Sequence, residues 1–346
     1  MHKNRQMENK KPLKWKLPFL LFLILGTAYI LQNSHQDAPF QKSTGPIFGT
    51  IYHATYQYDK DLTNEILLEL RKVDNSLSTF NEHSIISQIN QNKEVKTDSL
   101  FLEVYTRAQE ISKATRGAFD ITVAPLVNAW GFGFKHSDNI RKEQIDSIRS
   151  FVGYQNITLK NGRIIKKDPR IQLDCSAIAK GFGSDCIARM FEQRGIQNYM
   201  IEIGGEIVVK GKNPKGSNWG IGVNKPVNDS LNINNEIETV LDISNIAMAT
   251  SGNYRNFYLK EGKKYAHTID PETGYPVQHS ILSSTVLAND CATADAYATA
   301  FMVMGLEKAQ ALLSIHPELQ AYFIYADEKG KAETWFSPKL ENMIRK

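Results

Sequence analysis

The sequence predicts an α+β fold in which mixed or antiparallel sheets are flanked by helices. Short β-rich runs are joined by turn residues, as at Asn161-Gly162, a dipeptide that favours a two-residue hairpin. Apolar residues recur at helical spacing elsewhere, as from Leu62 to Leu77. Strands and helices do not alternate regularly, which argues against a parallel α/β sheet.

The other elements follow in order along the chain. Strands are predicted at 48–58, in the first half of 118–133, at 170–173, at 199–209 with a break at Gly204-Gly205, and at 219–223, 239–243 and 284–288. Helices are predicted at 100–115, 140–151, 184–194, 291–304 and 306–314, and hairpins at 157–167 and 321–336.

The N-terminal region predicts membrane targeting. Residues 1–16 hold six Lys or Arg and one Glu, and residues 17–31 carry no charge. Such a run is typical of a signal-peptide core or a short anchor. No small-residue cleavage site and no lipid-accepting cysteine follows, so we expect an uncleaved anchor with residues 1–16 in the cytoplasm and the body outside. Residues 32–45 are polar and predict a linker.

The remaining composition excludes some classes of function. Beyond residue 16 the chain carries 35 basic and 36 acidic residues, a near balance that argues against a nucleic-acid groove. Its three cysteines show no metal-binding or redox spacing, and an odd number argues against a disulfide framework. We expect them to be buried packing residues.

The stretch LDCSAIAKGFG, residues 173–183, is the first candidate site. It predicts a strand that ends in an acid and is followed by small residues and a helix start, which is how backbone N–H groups are aimed at a phosphate. Asp174 or Ser176 can cap the helix, and Lys180 can reach an anion. Any strand-to-helix turn uses such residues, so the stretch alone is only suggestive.

A second candidate is the pair Asp295 and Thr299, four residues apart on one face of a predicted alanine-rich helix. A carboxylate and a hydroxyl are hard oxygen ligands that suit Mg²⁺. A well-packed capped helix explains the pair equally well. His267 and Asp270 form a third cluster, which ordinary turn chemistry also explains. Motifs of serine hydrolases, zinc proteases, P-loop proteins and Rossmann folds are absent from the sequence.

Six stretches in this order resemble the ApbE-type FAD:protein FMN transferases, from about Pro46 to the C-terminus. They are AFDITVAPLVNAWGFG, LDCSAIAKGFGSD, IEIGGEIVVKG, ATSGNYRNFY, HTIDPETGYPV and CATADAYATAFMVMG. The resemblance implies one flavin transferase domain over residues 46–346, with FAD in a cleft between sheet regions. It also implies a periplasm-facing enzyme that splits FAD, attaches FMN through a phosphodiester to Ser or Thr of a target protein, and releases AMP.

The resemblance also implies roles for individual residues. Asp295, Thr299 and the backbone carbonyl of Ala177 match the Mg²⁺-binding positions. The positions that match FAD contacts are Phe48, Phe80, Ala118, Phe119, Asp120, Asp174, Lys180 and His267. The acceptor hydroxyl needs a base, for which His267 is the candidate and Asp270 a nearby carboxylate. Ala298 stands where relatives often carry a second acid, which favours one Mg²⁺ over two.

Two other functions remain open at this point. One is a Mg²⁺-dependent FAD pyrophosphatase, in which water replaces the protein hydroxyl. The other is a flavin-binding or delivery module without catalysis, which would not need a metal on the diphosphate. By resemblance, the acceptor is a membrane electron-transport subunit of the sodium-pumping quinone reductase or Rnf kind, or another exported flavoprotein.

Overall fold

The computed structural model describes residues 17–33, 38–132, 140–226, 236–252, 257–260, 263–266, 268–278 and 280–345. Its helices are α1 (Leu17–Asn33), α2 (Thr63–Leu77), α3 (Ile85–Asn90), α4 (Ser99–Ala114), α5 (Ala124–Ala129), α6 (Lys142–Arg149), α7 (Ser176–Gln193), α8 (Cys291–Met304) and α9 (Leu306–Ile315). Its strands are β1 (Phe40–Ile47), β2 (Thr50–Gln57), β3 (Ile157–Lys160), β4 (Arg163–Lys166), β5 (Tyr199–Ile203), β6 (Glu206–Lys210), β7 (Trp219–Asn224), β8 (Ile237–Ile243), β9 (Ile246–Gly252), β10 (Phe257–Lys260), β11 (Lys263–Ala266), β12 (Ile281–Ala288), β13 (Gln320–Ala326) and β14 (Ala332–Phe336).

Eight strands form the central sheet, in the order β1-β2-β5-β6-β9-β12-β13-β14. Every neighbouring pair in it is antiparallel. The pairs β3–β4, β7–β8 and β10–β11 form separate two-stranded sheets. The predicted α+β class with antiparallel sheets is therefore confirmed.

Alternate residues of the central strands point to opposite sides of the sheet, and each of its faces packs against other elements. Ala249 of β9 and Val286 of β12 pack into a core with α4, α7 and α8. Their neighbours Met248 and Leu287 pack instead against the β7–β8 hairpin. Helix α7 extends across β2 and β5 in a further cluster with α2. The packing places α7 and α8 side by side on one face of the sheet.

Three local predictions are wrong. Strand β1 occupies part of the predicted linker, because a polar edge strand lacks the apolar alternation that reveals buried strands. The strand predicted from Ala118 is a turn followed by α5, whose first turn contains Pro125. No strand forms at residues 170–173, and α7 begins at Ser176, so most of LDCSAIAKGFG is helical rather than a loop.

Two glycine-containing pairs form tight turns. Asn161 and Gly162 both have positive φ, at 53° and 71°, and join β3 to β4 as predicted. Gly204 and Gly205, with φ of 63° and 108°, join β5 to β6 in the same way. The second pair is therefore a hairpin turn, where the sequence predicted a bulge or a close backbone approach.

Helix α1 is apolar and carries exposed side chains such as Phe19 and Phe22. Within the described residues, none of the helices reaches the length and hydropathy needed to cross a membrane.

Candidate active site

Helices α7 and α8 come into backbone contact at Gly181. A Cβ atom at this position would lie 2.3 Å from the carbonyl oxygen of Cys291, so only glycine fits. The backbone N–H of Gly181 donates a hydrogen bond of 3.1 Å to Oδ2 of Asp295, whose side chain is buried. The close approach therefore places an α8 carboxylate directly against the α7 backbone.

The same N–H relates Asp295 to Ala177. In an α-helix the regular acceptor for the N–H of Gly181 is the carbonyl oxygen four residues earlier, which belongs to Ala177. Asp295 therefore meets α7 at the amide one turn after Ala177, whose carbonyl is another predicted metal-binding oxygen. Thr299 lies one turn further along α8, and its hydroxyl is 3.1 Å from the hydroxyl of Ser251 on β9.

Lys180 lies between two buried carboxylates. Its Nζ is 2.6 Å from Oε1 of Glu206 and 4.0 Å from Oδ1 of Asp295. Burial lowers the pKa of Lys180, but the charges of Asp295 and Glu206 raise it by more, so the ammonium stays charged. Burial raises the pKa of both Asp295 and Glu206, against the opposing charge of Lys180.

Glu206 is fixed from two directions. It is the first residue of β6, directly after the Gly204-Gly205 turn. The hydroxyl of Ser184 donates to its backbone carbonyl at 3.1 Å, while Lys180, one turn earlier on α7, binds its carboxylate. Its Oε2 is buried and has no hydrogen-bond partner within the described part of the chain.

The donor set fits a hard divalent cation that also binds substrate. Within the described ranges, no three His, Cys, Asp or Glu side chains cluster closely enough to hold a metal ion. The candidate ligands are instead one carboxylate, one hydroxyl and one backbone carbonyl, from Asp295, Thr299 and Ala177. Mg²⁺ is commonly bound by one or two carboxylates together with water and substrate phosphates, so this set suits it.

Known proteins match this chain over most of its length. The family model described as "ApbE family" matches residues 48–323. The FAD:protein FMN transferases of Haemophilus influenzae and Vibrio cholerae are 38% and 34% identical to it, covering 89% and 91% of this chain and 93% and 97% of the relatives.

The chain belongs to the ApbE family.

Solved ApbE structures share its fold. The flavin transferase ApbE of Vibrio cholerae superposes with a TM-score of 0.79 at 34% identity, over 88% of this chain and 99% of that one. The apo form of the Pseudomonas stutzeri flavinyl transferase ApbE gives 0.78 at 28% identity, over 88% and 96%.

Phe48 is held in an unusual conformation at the site of this ApbE-family chain. It forms the β1–β2 turn with Gly49 and has a φ of 49°, which is uncommon for an aromatic residue. Its ring rests on α7, where a Cβ at Gly183 would lie 2.9 Å from Cε2. The turn therefore directs an aromatic ring onto the helix that carries Lys180. Phe80, another position predicted to contact FAD, is 79% exposed.

Residues 118–120, which were predicted to contact FAD, form a largely buried turn that is held by hydrogen bonds. Phe119 and Asp120 are buried. The Asp120 carboxylate accepts hydrogen bonds from the N–H and hydroxyl of Thr122 and from the N–H of Tyr154. Burial raises its pKa although these bonds oppose the shift. Ala118 is partly buried in the same turn.

Asp174 connects this segment to α7. Its N–H donates to the carbonyl of Ile121 at 2.7 Å, and its carboxylate accepts from the N–H and hydroxyl of Ser176, where α7 begins. Asp174 therefore links the start of the helix that carries Ala177 and Lys180 to the preceding turn. The cap position itself is Cys175, without a side-chain cap hydrogen bond, so the prediction that Asp174 or Ser176 caps the helix is wrong.

The two predicted catalytic residues are not brought to this cluster by any described contact. His267 lies outside the described residues. The described hydrogen bonds of Asp270 stay within the turn that ends at Tyr275, where its carboxylate accepts from the N–H of Glu272.

Sequence reasoning gave no role to Glu206 or Ser251. The GGE of the IGGEI stretch was the available signal for Glu206, because an acid beside a glycine turn in an apolar strand suggests a buried partner. No signal in the sequence related Ser251 to Thr299, since their proximity depends on how β9 packs against α8.

Proposed function

We propose that this chain is an FAD:protein FMN transferase, which cleaves FAD, attaches FMN to a Ser or Thr hydroxyl of another protein and releases AMP. The observation that carries the proposal is the junction of α7 and α8, where Asp295 contacts the backbone of α7 one turn after Ala177 and lies beside the Lys180 ammonium. Oxygen ligands for a divalent cation beside a fixed ammonium can hold a metal-bound diphosphate. Curated relatives with this activity in their names match about nine-tenths of the chain.

Asp295, Thr299 and the Ala177 carbonyl would hold Mg²⁺, which when bound neutralises negative charge on the diphosphate oxygens. Lys180 donates to the diphosphate from the adjacent turn of α7. Phe48 and Phe80 offer aromatic surface to the rings of FAD. We place FAD against these residues, between regions of the sheet, as the resemblance implies.

The reaction is an in-line displacement at the FMN phosphorus. The acceptor hydroxyl oxygen forms a bond to that phosphorus, and the bond from phosphorus to the bridging oxygen breaks, so that AMP leaves with the oxygen. The hydroxyl proton passes to a base. His267 is our candidate for this base, with Asp270 as the alternative carboxylate.

We also propose that the catalytic domain faces the extracytoplasmic side of the membrane and is held there by residues 17–31. The exposed apolar side chains of α1 and the basic residues before it support this location. The acceptor would then be an exported or membrane flavoprotein, such as an electron-transport subunit of the quinone reductase or Rnf kind.

The full chain, incubated with FAD, Mg²⁺ and a Thr-containing acceptor peptide, tests the activity. Mass spectrometry follows the FMN adduct and chromatography follows AMP. An adduct that requires the peptide's Thr and disappears on chelation supports the transferase. AMP and free FMN formed at the same rate without peptide indicate a pyrophosphatase. Bound FAD with neither product indicates a flavin-binding module.

A further inference from the structure

Lys180 has two carboxylate neighbours at very different distances, and this difference carries an inference that rests on the proposed function. The ammonium makes a close ion pair with Glu206 at 2.6 Å and only a long contact with Asp295 at 4.0 Å. Oδ2 of Asp295 is taken by the Gly181 N–H. Oδ1 is therefore the oxygen that the Lys180 ammonium and a metal ion would both approach.

We propose that Glu206 is a positioning residue that holds the Lys180 ammonium away from Asp295, so that Oδ1 of Asp295 remains available to bind the divalent cation. In this arrangement Lys180 keeps its charge beside the site, where it can meet a diphosphate, without occupying the cation's position.

The surroundings of Glu206 suit such a role. Glu206 is only 3% exposed, so its carboxylate is enclosed by protein and not by solvent. The glycine turn before it and the Ser184 hydrogen bond fix its backbone against α7. The Glu206 carboxylate, fixed in this way, restrains Lys180 more firmly than a mobile surface acid would.

Removal of the Glu206 charge would change the partner of Lys180. A buried ammonium that loses its ion-pair partner is strongly destabilised, so it moves to the nearest remaining carboxylate. That carboxylate is Asp295, at 4.0 Å. The ammonium and the divalent cation then compete for the same oxygen, and metal binding weakens.

A double-mutant cycle read by Mn²⁺ binding tests this competition. Electron paramagnetic resonance of the full chain in detergent, with Mn²⁺ as the probe, measures free and bound metal in wild type, Glu206→Gln, Lys180→Met and the double variant. We expect Glu206→Gln to weaken Mn²⁺ binding about tenfold or more, the size of effect seen when groups that orient metal ligands are removed. The double variant is expected to return to within about threefold of wild type, or tighter.

The control is Glu202→Gln on β5, which also removes a carboxylate charge and lies opposite Ile207, the residue after Glu206. This variant is expected to bind Mn²⁺ as wild type does. Two results overturn the inference: unchanged binding in Glu206→Gln, or a double variant as weak as the single one. If the single variant does not fold, as judged by circular dichroism, the comparison of Lys180→Met with the double variant decides. Without the ammonium, loss of the Glu206 charge should not weaken Mn²⁺ binding further, and a double variant that binds Mn²⁺ more weakly than Lys180→Met overturns the inference.

The proposed function and the role of Glu206 are contradicted by different results. A wild-type chain that binds no Mn²⁺ and forms no FMN adduct contradicts the proposed function. A wild-type chain that does both, beside a Glu206→Gln variant with unchanged Mn²⁺ affinity, contradicts only the role of Glu206.

Discussion

The N–H of Gly181 donates to the carboxylate of Asp295 at 3.1 Å, at a point where the two helices are too close for any side chain at position 181. One residue thus provides both the space and the donor that hold the Asp295 side chain in place. Because Ala177 and Lys180 lie on the same helix within one turn of this contact, the packing of α7 on α8 determines the geometry of the whole candidate site.

Gly181→Ala is expected to disrupt both stability and activity. Its Cβ would meet the backbone of Cys291, which cannot move aside as a flexible side chain can. Overpacking of this kind costs about 1–3 kcal/mol or more of unfolding free energy. Urea unfolding measures the loss, and the FMN-transfer assay should show little product. Gly222→Ala is the control, because its Cβ meets only the Ile237 side chain at 3.4 Å. Equal stability of the two variants would contradict this account of the helix contact.

Gly183→Ala is expected to act on FAD binding more than on stability. The new methyl group would press on the ring of Phe48, a side chain that can shift. If Phe48 contacts FAD, the Kd for FAD measured by flavin fluorescence rises while the unfolding free energy changes by less than it does in Gly181→Ala. Wild-type affinity for FAD in a variant whose Phe48 ring has moved would remove Phe48 from the binding site.

Much of the fold could be predicted from local patterns. Helix α8 begins and ends at the predicted residues, since its small and apolar side chains extend from an Asp290 cap to Gly305. The β3–β4 turn followed from Asn161-Gly162 alone. Strand β1 could not be predicted, because a polar edge strand is stabilised by backbone pairing to β2 rather than by side-chain burial.

The candidate site likewise contains residues that local sequence patterns predict and residues that only the tertiary structure reveals. Asp295, Thr299 and Lys180 could be proposed from residue type, spacing and resemblance. The role of Glu206 could not, because it depends on a tight turn that brings the start of β6 to α7. The residues before α5 alternate between apolar and polar side chains, which predicts a strand. They form a turn instead, because Asp120 accepts hydrogen bonds from Thr122 and Tyr154, and the sequence pattern does not reveal these bonds.

Asp185 predicts a pH dependence of stability. Its carboxylate accepts from the N–H groups of Cys291 and Ala292 at the start of α8, and burial raises its pKa to about 7 despite these bonds. The folded chain therefore holds a proton here that the unfolded chain loses near its ordinary acid pKa. This contribution to stability is complete below the ordinary pKa of 3.8, shrinks as the pH rises from there, and is gone above about 7.

Urea unfolding of wild type and Asp185→Asn provides the test, at several pH values between the ordinary Asp pKa and about 7 and at one above it. Because the amide does not ionise, the stability of wild type relative to the variant should fall with rising pH, by at most about 1.4 kcal/mol per pH unit. A constant difference between the two proteins would show that Asp185 does not titrate in this range.

The assignment of Asp295 as a metal ligand is tested by Asp295→Ala, assayed for FMN transfer and for FAD binding in the same preparation. We expect the FMN adduct seen by mass spectrometry to fall at least about a hundredfold, since a metal ligand is lost rather than a group that only orients one. FAD should remain bound, because Lys180 and the aromatic side chains are intact. Adduct formation at the wild-type rate would contradict the assignment of the α7–α8 junction as the site of FAD cleavage.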